Sequence, residues 1–257
     1  MNRLNLARRA QIINCLVEGN SIRSTERMTG AHRDTVMRLM VGAGTGCEVL
    51  MDAEMRNLPC ARIQVDEIWA YVAKKQRHVV ANDDRSRVGD QRTFVALDPD
   101  TKIVPAFRIG KRDLGTATAF MCDLSERLAN RVQLSSDALA AYVEATEQAF
   151  GADVDYGQAV KFYEADPIGP GGYSPPHVVR QEKAAITGQP DVAHISTSLI
   201  ERQNLTMRMS IRRFTRLTNA FSEKVENHRP AVAIHFAHYN FVRMHKTVRC
   251  TPAMAAG

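Results

Sequence analysis

Ile63-Gln64-Val65-Asp66-Glu67-Ile68-Trp69-Ala70-Tyr71-Val72 is the stretch on which the fold turns. It is an apolar run rich in β-branched and aromatic residues, which is strand composition. Two acids interrupt it. Alternation along a strand puts Asp66 on the face of Ile68, Ala70 and Val72, and puts Glu67 on the other face. A carboxylate among apolar neighbours is costly unless it is paired or holds a metal. Asp66 is therefore the first candidate site residue, and Glu67 a weaker one.

Working outward, the same reading applies twice more. Val132-Gln133-Leu134-Ser135-Ser136-Asp137 is a second strand-like run that ends on an acid. In α/β proteins ligand groups gather at the carboxyl ends of strands. Asp137 could also be an ordinary cap for the next helix. Glu201 opens a basic segment, Glu201-Arg202-Gln203-Asn204-Leu205-Thr206-Met207-Arg208. Ser198 lies three residues before it, so Glu201 also fits a capping box. Against that, Arg208 and Arg212 recur at seven and eleven residues, on the helix side of Glu201. Three converging carboxylates repel one another, and a hard divalent cation such as Mg²⁺ or Mn²⁺ is their natural partner.

The rest of the core predicts an α/β layered fold with an antiparallel meander at its front. Strands are expected at Thr93–Leu97 and Lys102–Arg108, and helices at Thr116–Leu128, Ala138–Phe150, from about Ser198, and over Ala231–Val242. The Pro- and Gly-rich stretch from Asp166, continuing to Asp191, reads as a long irregular loop. Pro252 is expected to end the last element.

Ahead of this core, residues 5–41 read as three short helices. Gly19-Asn20 stops the first, Ser21 caps the second, and Thr29-Gly30-Ala31 turns the chain into the third. That spacing is a helix-turn-helix pattern. The third helix offers His32, Arg33, Thr35 and Arg38 around an apolar Val36/Leu39/Met40 face, a set suited to phosphates and base edges. Gly42-Ala43-Gly44-Thr45-Gly46 reads as a break. The expected division is a helix-turn-helix domain at 1–45, a linker at 46–61 and a catalytic domain at 62–257.

Charge agrees with an anionic partner. The 257-residue chain carries a net +6. Between Arg202 and Arg229 seven Lys or Arg face two acids, so the excess sits beside Glu201. The five cysteines form no C-x-x-C pair, which argues against a zinc ribbon and for free thiols. His235-x-x-His238 lacks a second pair of ligands. No run reaches the length of a membrane span, and a soluble, cytoplasmic, nucleoid-associated protein is expected.

Val65-Asp66-Glu67-Ile68-Trp69, Ser135-Ser136-Asp137 and Ile200-Glu201-Arg202-Gln203-Asn204-Leu205-Thr206-Met207-Arg208 together resemble the DDE transposases of bacterial insertion sequences, the insertion-sequence-one family most closely. The similarity continues through Arg212-Arg213-Phe214-Thr215-Arg216-Leu217-Thr218-Asn219-Ala220-Phe221-Ser222 and Val225-Glu226-Asn227-His228, and covers most of the chain from Arg62. It implies a ribonuclease H-like core of mixed sheet and flanking helices. It also implies that Asp66, Asp137 and Glu201 hold two Mg²⁺ ions, with Arg208 against a phosphate near the cut. Arg212, Arg213 and Arg216 would follow the DNA backbone. The partners implied are double-stranded DNA, as transposon ends and target, and further copies of the chain in at least a homodimer. The zinc motif found at the N-terminus of some members is absent, and Arg229-Pro230 departs from the family after His228. Two alternatives stand beside this: a structure-selective nuclease on the same fold, and a DNA-binding regulator without catalysis.

Overall fold

A computed structural model describes residues 4–165, 177–215 and 218–257. Three helices come first. α1 (Leu6–Val17) is capped by Asn5, and α2 (Ile22–Thr29) by Ser21, whose hydroxyl accepts from the Ser24 amide at 3.0 Å. Gly30 ends α2 with φ at 66°, a left-handed conformation that glycine adopts without strain. α3 (Arg33–Glu54) begins three residues later. Ile12, Ala31 and Val36 form a small core between these helices.

The break expected at Gly42–Gly46 is not there. α3 runs through all three glycines for 22 residues, and no separate linker stands at 46–54 between the helical segment and the sheet. Tertiary packing accounts for this. Gly44 is pressed against α7 (Val225–Phe241), where a Cβ would come within 2.4 Å of the Pro230 carbonyl oxygen. The glycine permits two helix axes to approach closely, and the burial gained outweighs its poor helix propensity.

The core is a six-stranded mixed sheet in the order β3-β2-β1-β4-β5-β6. β1 (Arg62–Val72) pairs antiparallel with β2 (Gly89–Leu97), and β2 with β3 (Phe107–Gly110). On its other side β1 runs parallel to β4 (Val132–Ser136), and β4 to β5 (Val154–Glu164). β6 (His177–Thr187) closes the sheet antiparallel to β5. α4 (Leu114–Ser125) and α5 (Ala140–Phe150) pack together and supply the core residues Phe120, Met121 and Tyr142. α6 (Ser198–Ser210) crosses β1, α7 packs along α3, and α8 (Pro252–Ala256) ends the chain.

Four further expectations are corrected. Residues 102–106 are mostly buried but do not form a strand. Asn240 of α7 takes both backbone groups of Val104, accepting from its amide at 3.0 Å and donating to its carbonyl at 2.9 Å. A side-chain amide thus stands where a neighbouring strand would. β6 occupies part of the stretch read as irregular, and β5 precedes it. The Asp166–Pro176 part of that stretch lies outside the described residues. α7 begins at Val225, six residues before the expected Ala231, and tolerates Pro230 near its start. Pro252 begins α8, with Thr251 as its cap, because the first turn of a helix needs no proline N–H.

Candidate acidic metal site

β1 keeps β4 as a neighbour only over Arg62–Gln64. Beyond Gln64 the two strands part, and Asp66 and Glu67 border the gap while Asp137 comes directly after β4. Side chains from both faces of β1 can turn toward this opening. Asp66, Glu67 and Asp137 each offer a carboxylate oxygen there, all within 4.8 Å of one another, a group that could hold a metal ion. Glu67 is thus a member, against the expectation that alternation would send it away. The departure of β4, read from strand lengths rather than from residue types, was the missing signal.

α6 is fixed over this opening by β1 itself. Gln64 is buried, and its Oε1 accepts from the amides of Leu199 and Ile200 at 3.0 and 3.1 Å. It therefore caps the N-terminal end of α6 from across the sheet. Two residues along the same strand face, Asp66 Oδ2 accepts from Asn204 Nδ2 at 2.8 Å. Two strand residues advance about 7 Å and four helical residues about 6 Å, so the pairs 64/200 and 66/204 stay in step. The other oxygen of Asp66 accepts from the Glu67 amide at 2.8 Å. Asn204 Oδ1 is buried without a hydrogen-bond partner.

Glu201 stands on the same helix, one turn before Asn204. Its Oε1 accepts from the Lys161 ammonium of β5 and, at 2.6 Å, from the Thr197 hydroxyl. The capping box expected from Ser198 does not form. Thr197 is the cap residue, and the Ser198 amide donates to Ser196 Oγ at 3.2 Å. Glu201 is outside the three-carboxylate group, yet its charge reaches Asp66. Asp137 does not cap α5 in the usual sense either; its Oδ1 accepts from the Leu139 amide at 3.0 Å, a local turn that leaves the carboxylate at the opening.

The electrostatics arise from this crowding. Burial, then the neighbouring charges of Glu67, Asp137 and Glu201, push Asp66 up to about 7. Burial and Asp137 also raise Glu67, opposed by the Arg112 guanidinium, whose Nε donates to Glu67 Oε1 at 2.6 Å. Tyr142 adds a donor to the other oxygen of Glu67 at 3.3 Å, and its own phenol is raised by burial beside these acids. Arg112 offsets the charge of Glu67, and a proton or a cation beside Asp66 would relieve the remaining crowding.

The expected basic residues divide. His32, Arg33 and Arg38 are exposed at the start of α3, and Thr35 is half-buried. His32 Nδ1 accepts from the Asp34 amide, and the Arg38 Nε donates to the Asp34 carbonyl. Arg212 is exposed beyond the end of α6, and Arg208 is half-buried. Arg213 corrects its expected role. It turns inward, donating to Ser222 Oγ at 2.8 Å and to the Met40 sulfur at 3.3 Å, so it ties α3 to the core rather than facing a backbone. Burial lowers it to about 10. Arg216 lies outside the described residues.

His228 continues the same buried chain. Its Nδ1 meets Ser222 Oγ at 2.9 Å, and burial, then Arg213, holds it near 3, so it is a neutral structural residue. His235, also buried, is likewise held near 3. Among the described residues no histidine or cysteine joins a candidate metal group, and the five cysteines are free thiols. No helix of the described residues is long and apolar enough to cross a membrane. No protein-family model matches the chain, and no curated protein matches it.

Proposed function

We propose that the chain is a DDE-type transposase: it binds the inverted-repeat ends of an insertion sequence, cuts them and joins them to target DNA in a reaction that requires Mg²⁺ or Mn²⁺. The observation that carries this reading is the gathering of Asp66, Glu67 and Asp137 within 4.8 Å where β1 and β4 part, with Glu201 adjacent on α6. The mixed sheet with flanking helices is compatible with the ribonuclease H-like core that the resemblance implies.

The residues fit a divalent cation. Oxygen ligands dominate the opening, Asp66 is pushed toward protonation without a counter-charge, and the buried Asn204 Oδ1 lacks a donor. Asp66 and Asp137 would hold the cation, and Glu201 would join them by leaving Lys161. Such a cation would supply Lewis acidity to an attacking water or 3′-hydroxyl and to the leaving oxygen of an in-line displacement. Asn204 holds Asp66 in orientation from α6. Arg112 and Tyr142 hold Glu67. Arg208, seven residues after Glu201 on α6, and Arg212, just beyond the end of that helix, would supply the cations of a phosphate track. His32, Arg33, Thr35 and Arg38 present polar groups at the N-terminal end of α3, the geometry with which a helix enters a major groove. Two ends must be cut together, so the working form is at least a homodimer.

The test uses a labelled duplex carrying the DNA that flanks the coding region. The full chain with Mg²⁺ is expected to nick it and to join the exposed 3′ end to a second duplex. Nicking without joining supports the nuclease alternative. Binding with neither, under the same conditions, would leave only the regulator.

A further inference from the structure

β6 is the last strand of the sheet, with β5 on one side and no strand on the other among the described residues. It is eleven residues long, and residues 177–183 are all exposed. Along an antiparallel edge, alternate N–H and C=O groups point away from the sheet and invite another strand. Register shifts interrupt the β5–β6 pairing at Tyr156/Gly157 and at Phe162/Tyr163. Between them Gln158–Phe162 pairs regularly with Ala184–Arg180, so Arg180–Ala184 is a straight, unbulged edge.

That edge is complementary to itself. Set antiparallel about Gln181, two copies bring Arg180 of each opposite Glu182 of the other, twice, on one face of the extended sheet. Gln181 meets Gln181, whose amide both donates and accepts. Arg180 is already ordered for this role: it lies 4.3 Å from the centre of the Phe162 ring and 3.0 Å from Glu182 of its own chain. Val178 and Val179, about half exposed, flank the pairing stretch with apolar surface. The cations of β6 are also engaged. Lys183 donates to the carbonyls of Val192 and Ala193, and Arg180 holds Glu182. A phosphate backbone finds little free charge on this strand, whereas a second copy can exchange the Arg180–Glu182 pair within each chain for the same pair between chains.

We infer that β6 is a self-association edge, and that two copies of the chain join through antiparallel β6–β6 pairing centred on Gln181. The sheet then runs continuously through both copies across a two-fold axis. This inference stands on the strand and its charges and does not depend on the reading of the carboxylates.

Sedimentation equilibrium of the full chain, without DNA or divalent metal, tests it. The wild type is expected to dimerise. Arg180→Glu and Glu182→Arg each place like charges opposite one another at both symmetric positions and are expected to weaken dimerisation by about 10-fold or more. The double exchange, Arg180→Glu with Glu182→Arg, restores the pairing and is expected to return affinity to within a few-fold of wild type. A Gln181→Cys variant is expected to form a covalent dimer with oxidised glutathione where the wild type, with its own thiols, does not. A wild type that stays monomeric at micromolar concentrations overturns the inference. So does a dimer indifferent to both single changes, a double exchange that recovers nothing, or a Gln181→Cys variant that cross-links no more than wild type.

Discussion

Asp66 carries the tension of the site, and pH exposes it. Its folded-state value is about 7, raised from an ordinary 3.8. Between these values the folded chain binds a proton that the unfolded chain has lost, so stability falls as pH rises through this window. In metal-free buffer the melting temperature is expected to drop from about pH 5.5 to about pH 8, and Asp66→Asn to flatten that slope. A wild-type profile that rises over this range would contradict the assignment. Glu67 and Glu201 separate by a second measurement. Glu201→Gln keeps the Thr197 contact but loses the negative charge and weakens the part-exposed Lys161 pair, and is expected to reduce cleavage by orders of magnitude with only a small fall in metal-free melting temperature. Glu67→Gln weakens the Arg112 pair, and is expected to lower both stability and cleavage. If Glu201→Gln cleaves normally while Glu67→Gln does not, the working acids are Asp66, Glu67 and Asp137.

At the scale of elements, α3 and α7 make the most exacting contact. Gly44→Ala is expected to destabilise the chain by about 1–3 kcal/mol, since Pro230 backbone must move. Gly46→Ala meets nothing within 4 Å and is expected to stabilise by up to about 1 kcal/mol. Urea denaturation of the two variants checks the contrast, and equal effects would rule out close packing at Gly44 as the reason for the glycine. The same helix marks what the sequence could and could not disclose. Caps and glycines delimited α1 and α2 locally, and the apolar run around Asp66 announced β1. The glycines of α3 have the same local signature as a break, and it is α7, remote in sequence, that gives Gly44 its place inside a continuous helix. Val104 looks like a strand residue because its actual partner, Asn240, is equally remote. β6 left no alternation to read, because most of its residues are exposed on both faces. Asp66 and Asp137 were legible as acids in apolar strand contexts. Glu67 was not, because strand alternation says nothing of where a neighbouring strand stops.

Across the whole molecule, the exposed cations of α3 lie on the same continuous helix that packs along α7. The recognition and the chemistry proposed above would thereby be joined through one element rather than across a hinge. Arg33→Ala and Arg38→Ala are expected to weaken binding to terminal DNA and to lower the slope of log affinity against log salt by about one each. Gel-shift titrations across salt concentrations measure this, and unchanged slopes would remove α3 from the interface. The proposed chemistry itself depends on the acidic opening between β1 and β4. Electron paramagnetic resonance of Mn²⁺ titrated into the full chain, with duplex DNA present, reads that site directly. The wild type is expected to bind Mn²⁺ that Mg²⁺ displaces, and Asp66→Asn and Asp137→Asn to lose that binding while keeping their fold. Mn²⁺ binding that survives both substitutions, or none in the wild type, would contradict a metal-dependent mechanism at these carboxylates.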